Sequence, residues 1–378
     1  MVAALLLWRT EVPAGLDVHA TTAPFAALEL ARHERHDAVL RLIGLGSLGA
    51  QLLALVLLVA WAPRARGRPL VRAAQYGAFA AVLLLVARLP FGLLALWWQR
   101  RYGVAQLGYA QWLFERLGPL AVRAGLLAFA CALCVWLYAR YGRRWWLAAA
   151  PVFVVVGAAV ILVQPLLSPR LERVPRADVV AQVESLAAAQ GLDRPDVELR
   201  RTRDRTRALN AEAIGIGPTT RVILWGTTLD LPRNVRGFLV AHELGHVSRE
   251  HLWKGLAWFL LLLLPGLALL ARLAPLDTPE RVPRALLVAF VLLLAATPVV
   301  NALSRRYETE ADWVGLETTR DADGGRELLV RLAEAGVRDP EPPRWWTLVF
   351  GTHSSLAERA GMVDAWATSR AGRSREGS

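Results

Sequence analysis

Two histidines four residues apart, His242 and His246, frame an acid at Glu243 in the stretch FLVAHELGHVSREH. On a helix, positions i and i+4 share a face, so both imidazoles can grip one zinc ion. Glu243 sits one position round, where it can reach a water at the ion without ligating the ion itself. A bound zinc ion lowers the pKa of its water toward ~7, and a neighbouring carboxylate can take the proton as hydroxide attacks a peptide carbonyl. So short a pattern also arises by chance. Here an apolar approach, a small residue beside the second histidine and a polar exit surround it. The chain has only seven histidines, which argues against an incidental pair.

Zinc that does chemistry needs a third protein ligand and an open fourth position. A metzincin would place a histidine six residues after His246, but Leu252 stands there. His251, five residues on, is rotated off the ligand face and reads as an outer or surface residue. The downstream stretch SRRYETEAD is the better source. Its Glu308 and Asp312 are i, i+4 partners, so one can ligate while the other orients a ligand histidine through its free ring N–H. Glu310 points elsewhere and reads as a solvated charge. Two apolar runs separate the motifs, and an antiparallel helical hairpin would return Glu308 to the membrane side of His242.

The elements that must position these residues follow from composition. Of 378 residues, 55% are hydrophobic, and the excess lies in long uncharged blocks of the kind that cross bilayers. Six spans are expected, near residues 42–62, 73–98, 117–139, 145–168, 255–271 and 285–303. All must be helices, because lipid cannot satisfy open backbone groups. The formal charge of +12 is almost all arginine. It flanks the apolar blocks, which suits anionic lipid head groups, and with no nucleic-acid-binding motif present no nucleic acid partner is expected. Cys131 and Cys134 form a CxxC inside an apolar helix and read as small packing residues.

The organisation expected is therefore an N-terminal segment, 1–37, with a short interfacial helix over 26–41. A membrane domain of about four spans (38–169) and a small α+β domain (170–254) come next. A two-span hairpin (255–303), a completing segment (304–362) and a frayed polar tail (363–378) end the chain. Within 170–254 the periodicity predicts a helix over 178–190 and strands at 196–202 and 221–229. A third strand is expected in RALNAEAIG, and a helix over 233–254 runs into the fifth span. Residues 304–335 read as helix broken at DADGG. Arg88, inside the second span, is expected to face protein or a wet cavity.

HELGH, SRRYETEAD and LNAEAIGIGPTTRVILWGTTL together resemble the type I CAAX prenyl endopeptidases and related bacterial membrane zinc metalloproteases. LALWWQRRYGVAQLGYAQWLFERL, ILVQPLLSP and THSSLAERA extend the likeness to about residues 40–365. The resemblance implies a mainly α-helical polytopic membrane protein with a small zincin-like α+β catalytic domain. It implies Glu308 as third ligand to a single catalytic zinc, and Asp312 as the carboxylate behind a ligand. Asn210 and Ala211 would lie on an edge strand that pairs with an extended substrate. His353 and Arg359 would stand near the substrate and stabilise an oxyanion. Two departures bear on the substrate: one N-terminal span fewer than the eukaryotic enzymes, and Ser354 and Ser355 in place of the family's prolines.

The expectation is a multi-pass zinc metalloendopeptidase of the cell membrane. Its catalytic face would be cytosolic, and peptides or membrane proteins would be its substrates. The alternative is a non-catalytic membrane chaperone or scaffold, whose structural zinc would be closed by a fourth ligand such as His251 or Glu310.

Overall fold

The computed structural model describes residues 7–61, 65–167, 170–215 and 217–376. The opening apolar run and the span exit ILVQPLLSP lie partly outside them. The chain is a mainly helical, polytopic membrane protein carrying a small α+β domain. Its membrane part comprises α1 (Leu30–Ala60), α2 (Pro69–Arg101), the short α3 (Tyr109–Leu117), α4 (Leu120–Tyr141) and α5 (Trp145–Leu167). The polar domain adds β1 (Glu172–Arg173), α6 (Ala177–Ala189), β2 (Asp196–Arg200), β3 (Ala211–Ile214), β4 (Arg221–Trp225) and α7 (Arg233–Ser248). Helices α8 (His251–Leu273) and α9 (Val282–Thr319) return to the membrane and back. They are followed by α10 (Ala322–Gly336), α11 (Arg344–Phe350) and α12 (Leu356–Glu376).

Among the described residues, five helical stretches are long and apolar enough to cross a membrane: Leu30–Ala60, Pro69–Arg101, Tyr109–Ala159, His251–Leu273 and Pro279–Thr319. The third runs through the span expected near 117–139 and the first part of that expected near 145–168, with a turn at Gly142, φ 55°, between them. Membrane helices gain little from hydrophobic burial against one another and associate through close packing. Gly77 on α2 shows this. A Cβ there would lie 2.6 Å from the Leu127 carbonyl oxygen on α4, so only glycine permits the crossing. Cys131 packs in the same cluster, as its expected packing role requires. Arg88 lies exposed on the flank of α2, where its long side chain can snorkel.

The four-stranded sheet has the order β1-β2-β4-β3. β2 and β4 are parallel, β3 is antiparallel to β4, and β3 forms one edge. β4 is the central strand, and its Val222, Ile223 and Leu224 are essentially buried. Helix α7 packs against α6, α9, α10 and the edge strand β3, in one core with Val183, Leu316 and Leu328. A helix whose apolar residues run all round it belongs in a core. Gly245 and Gly315 let α7 and α9 approach. A Cβ on Gly245 would lie 3.3 Å from the Ala311 Cα, and one on Gly315 would lie 3.4 Å from the His242 backbone nitrogen.

Several elements differ from the sequence expectation. Residues 26–41 form no separate interfacial helix: α1 runs from Leu30 through the first span, and its His33 and His36 donate to the Arg338 and Val337 carbonyls at the end of α10. The last span does not stop near 303 but continues as one 38-residue helix, with no Gly or Pro between 299 and 314 to end it. The predicted helix over 233–254 breaks at Glu250, which takes the left-handed conformation at φ 55°. The tail stays helical beyond 363, because Met362, Val363 and Trp366 share one buried face. The loop after α2 pairs with the polar domain, Gln106 donating to the Arg205 carbonyl and Arg207 to that of Val104.

Candidate metal centre

The close crossing of α7 and α9 brings together the two motifs that lie two apolar runs apart in sequence. His242 and His246 point their Nε2 atoms at each other across 3.4 Å. Glu308 completes the group, with Oε2 3.3 Å from His242 Nε2 and Oε1 3.5 Å from His246 Nε2. One ligand atom from each lies within 4.8 Å of the others, and among the described residues no fourth His, Cys, Asp or Glu joins them.

The donor set fits a divalent cation. Two imidazole nitrogens and a carboxylate converge within ligand distance of one point, and two His with one carboxylate is a zinc-type set. Among the described residues none makes a well-directed hydrogen bond to Glu308 Oε2, although that atom is buried and His353 Nδ1 stands 2.8 Å from it. A buried acceptor without a donor is costly, and a cation would satisfy it. Charge agrees. Burial alone would depress His242, but Asp312 and Glu308 override it and hold its pKa up to about 10. That field draws a positive charge to His242. His246 is pushed down to about 3, by burial first and by the charge on His242 second, so its ring is neutral and has a lone pair to give.

Behind the three lie the groups that aim them. Asp312 Oδ1 accepts from His242 Nδ1 at 2.8 Å, which fixes that ring with Nε2 toward Glu308. Arg359 grips Asp312 with two donors, Nε to Oδ2 at 2.8 Å and Nη2 to Oδ1 at 2.7 Å. Such a fork is the strong form of an ion pair. Two of its donors hold Asp312, and the side chain also lines the cleft beside Glu243.

Glu243 faces a cleft of about 320 Å³ that Asn210, His242, Phe350, His353 and Arg359 also line. It keeps a partly open face, yet the surrounding protein withdraws enough water to push its carboxyl up to about 7. The charge on His242 opposes that rise first, and the Ala213 backbone N–H on the edge strand opposes it too. This ties Glu243 to the edge strand. Because the Asn210 carbonyl accepts from Trp225 of β4, the antiparallel alternation turns the backbone groups of Ala211 and Ala213 to the open side. The Ala211 side chain is buried in the core. His353 stands half-exposed at the rim.

One residue of this neighbourhood, Glu310, was misread from sequence, and for His251 the structure picks the outer of the two places expected. Glu310 is not solvated but 1% exposed, paired with His251 Nε2 at 2.9 Å. His251 is not at the surface: the break at Glu250 swings it back until its Nδ1 is 2.9 Å from His246 Nδ1. The signals were weak, a third histidine close to the pair and a second acid between Glu308 and Asp312.

Residues 174–367 match the description of peptidase family M48. Over 277 residues the chain is 27% identical to a protein of Bacillus subtilis (strain 168) named as an uncharacterized metalloprotease, YhfN; the match takes in 68% of this chain but 65% of that protein, just under two thirds of its length. The crystal structure of S. mikatae Ste24p superposes with a TM-score of 0.69, covering 95% of this chain and 93% of that one at 14% identity, a likeness of fold. The family match spans more than half of the sequence and contains all three converging side chains, and on that ground the chain belongs to peptidase family M48.

Proposed function

We propose that this protein is a membrane-embedded zinc metalloendopeptidase that cuts peptides or membrane proteins bound as an extended strand. The observation that carries the reading is the convergence of His242, His246 and Glu308 beside an acid, Glu243, that faces a cleft. Those three residues would hold one zinc ion, which when bound acts as a Lewis acid toward water and carbonyl groups. Glu243 is the general base. Its pKa, raised to about 7 by burial in the ion-free protein, lies near the value at which a carboxylate can both take a proton and return it to a leaving amine.

The edge strand supplies the substrate register. The outward backbone groups of Ala211 pair with an extended peptide, and Asn210 meets its side chains at the cleft wall. His353 is the freer donor for a developing oxyanion, while Arg359 acts through Asp312 on His242. The polar domain faces the cytosol from the cell membrane. A scaffold whose zinc is closed by His251 or Glu310 gains no support, because these two side chains bond to each other.

The test is Glu243→Gln in the full chain in detergent, assayed on a peptide library. Loss of cleavage by ~10²–10⁴-fold with zinc retained is expected from removal of a general base. Undiminished turnover would refute the assignment.

A further inference from the structure

His242 has its own carboxylate in Asp312. His246 meets no carboxylate through its Nδ1, yet its ring is held just as definitely. Helix α7 ends at Ser248, and Glu250 takes φ 55°, ψ 34°. A non-glycine residue takes that conformation only at a cost, and such residues persist where the surroundings impose them. On an unbroken helix His251 would lie about 140° round from His246. The break brings the two Nδ1 atoms to 2.9 Å instead.

His251 is 7% exposed and stacks on Tyr307, with ring centroids 4.7 Å apart and planes at 16°. Its Nε2 meets Glu310 Oε2 at 2.9 Å. The second oxygen of Glu310 accepts from the Glu11 backbone N–H at 2.8 Å, and Lys254 Nζ stands 3.4 Å from the first. Glu11 also pairs with Arg249 in the break, and Leu7 accepts from the Tyr307 hydroxyl. The chain before the first span thus straps the back of the site, outside the region matched by the family.

Proton positions in this row follow from donor and acceptor counting. A carboxylate only accepts, so His251 Nε2 donates to Glu310. In neutral His251 the other nitrogen, Nδ1, is then an acceptor. His246 Nδ1 must donate to it, and His246 Nε2 keeps its lone pair toward His242 and Glu308. We propose that His251 and Glu310, clamped by the backbone of Glu11, are positioning residues that hold His246 in the Nδ1–H tautomer and aim its Nε2 at the metal. The inference rests on the metal-centre reading above. Glu310 and Asp312, two residues apart on α9, thereby serve the two histidines separately, one through a relay and one directly.

The experiment uses the full chain in detergent and measures zinc affinity by chelator competition, with the visible absorption of bound cobalt(II) as a second readout. His251→Phe keeps the ring on Tyr307 but removes both nitrogens. His251→Asn restores an acceptor near the Nδ1 position, and Glu310→Gln keeps the shape of the acid. Outer partners of a metal-bound histidine are worth about 10–100-fold in affinity. We expect at least tenfold weaker zinc binding and an altered cobalt spectrum for His251→Phe, about threefold or more for Glu310→Gln, and near wild-type behaviour for His251→Asn. Changes below about twofold in both His251→Phe and Glu310→Gln would overturn the proposal, as would an equal loss in His251→Phe and His251→Asn. Wild-type protein that binds no zinc would instead overturn the metal-centre reading itself.

Discussion

Replacing Arg359 by Met tests how firmly His242 is held from behind. Arg359 and Asp312 are 10% and 3% exposed, and two hydrogen bonds at 2.8 and 2.7 Å join them. The substitution keeps the length of the side chain and removes the fork. Asp312 is left as a buried carboxylate with His242 Nδ1, at 2.8 Å, as the contact that remains of these three. Breaking one partner of a buried pair costs about 3–5 kcal/mol, since the other charge stays without compensation. At about 2 °C per kcal/mol for a domain of this size class, the unfolding midpoint of the ion-free protein falls by roughly 6 °C or more. Arg359→Lys keeps the charge but not the planar fork, and should fall between the two. The assay is thermal unfolding of the full chain in detergent, followed by tryptophan fluorescence with and without zinc. A cost below about 1 kcal/mol for Arg359→Met, the size of a surface pair, would refute the reasoning.

Gly245→Val probes the helix crossing. A Cβ there already lies 3.3 Å from the Ala311 Cα, so the added methyls must push α7 and α9 apart. Overpacking of this kind costs about 1–3 kcal/mol, and zinc affinity measured by chelator competition should drop with it, because Glu308 moves away from the histidines. Glu198 sets an acid limit. Burial would raise its pKa, but hydrogen bonds from Arg221, Leu171 and Arg170 outweigh this and leave it lowered. A depressed folded pKa gives stability that is present above the unfolded value, about 4.3, and lost as pH falls through the folded one. Unfolding midpoints should therefore decline in acid for the wild type and decline less for Glu198→Gln.

Much of this site could be read in the sequence because its chemistry is repeated along helices. The spacing of His242, Glu243 and His246, and of Glu308 and Asp312, survives into the structure, since each set sits within one uninterrupted helix. What spacing could not reveal is how helices meet and end. Nothing near Glu250 marks a break: no glycine or proline stands there, and the left-handed residue is held by its neighbours. Glu310 reads as solvated from its place between Glu308 and Asp312, but an N-terminal segment some 300 residues earlier covers it. That contact leaves no local trace. The tail was read as frayed from its polarity, although Met362, Val363 and Trp366 recur at i+3 and i+4 spacing.

The most direct measurement of the central claim is X-ray absorption at the zinc edge on purified full-length protein, with metal content per chain determined in parallel. The account predicts one zinc per chain, bound by two imidazoles and one carboxylate with one oxygen ligand from solvent, and a stoichiometry near zero for Glu308→Ala. A chain that takes up no zinc, or a zinc enclosed by four protein ligands, would contradict it.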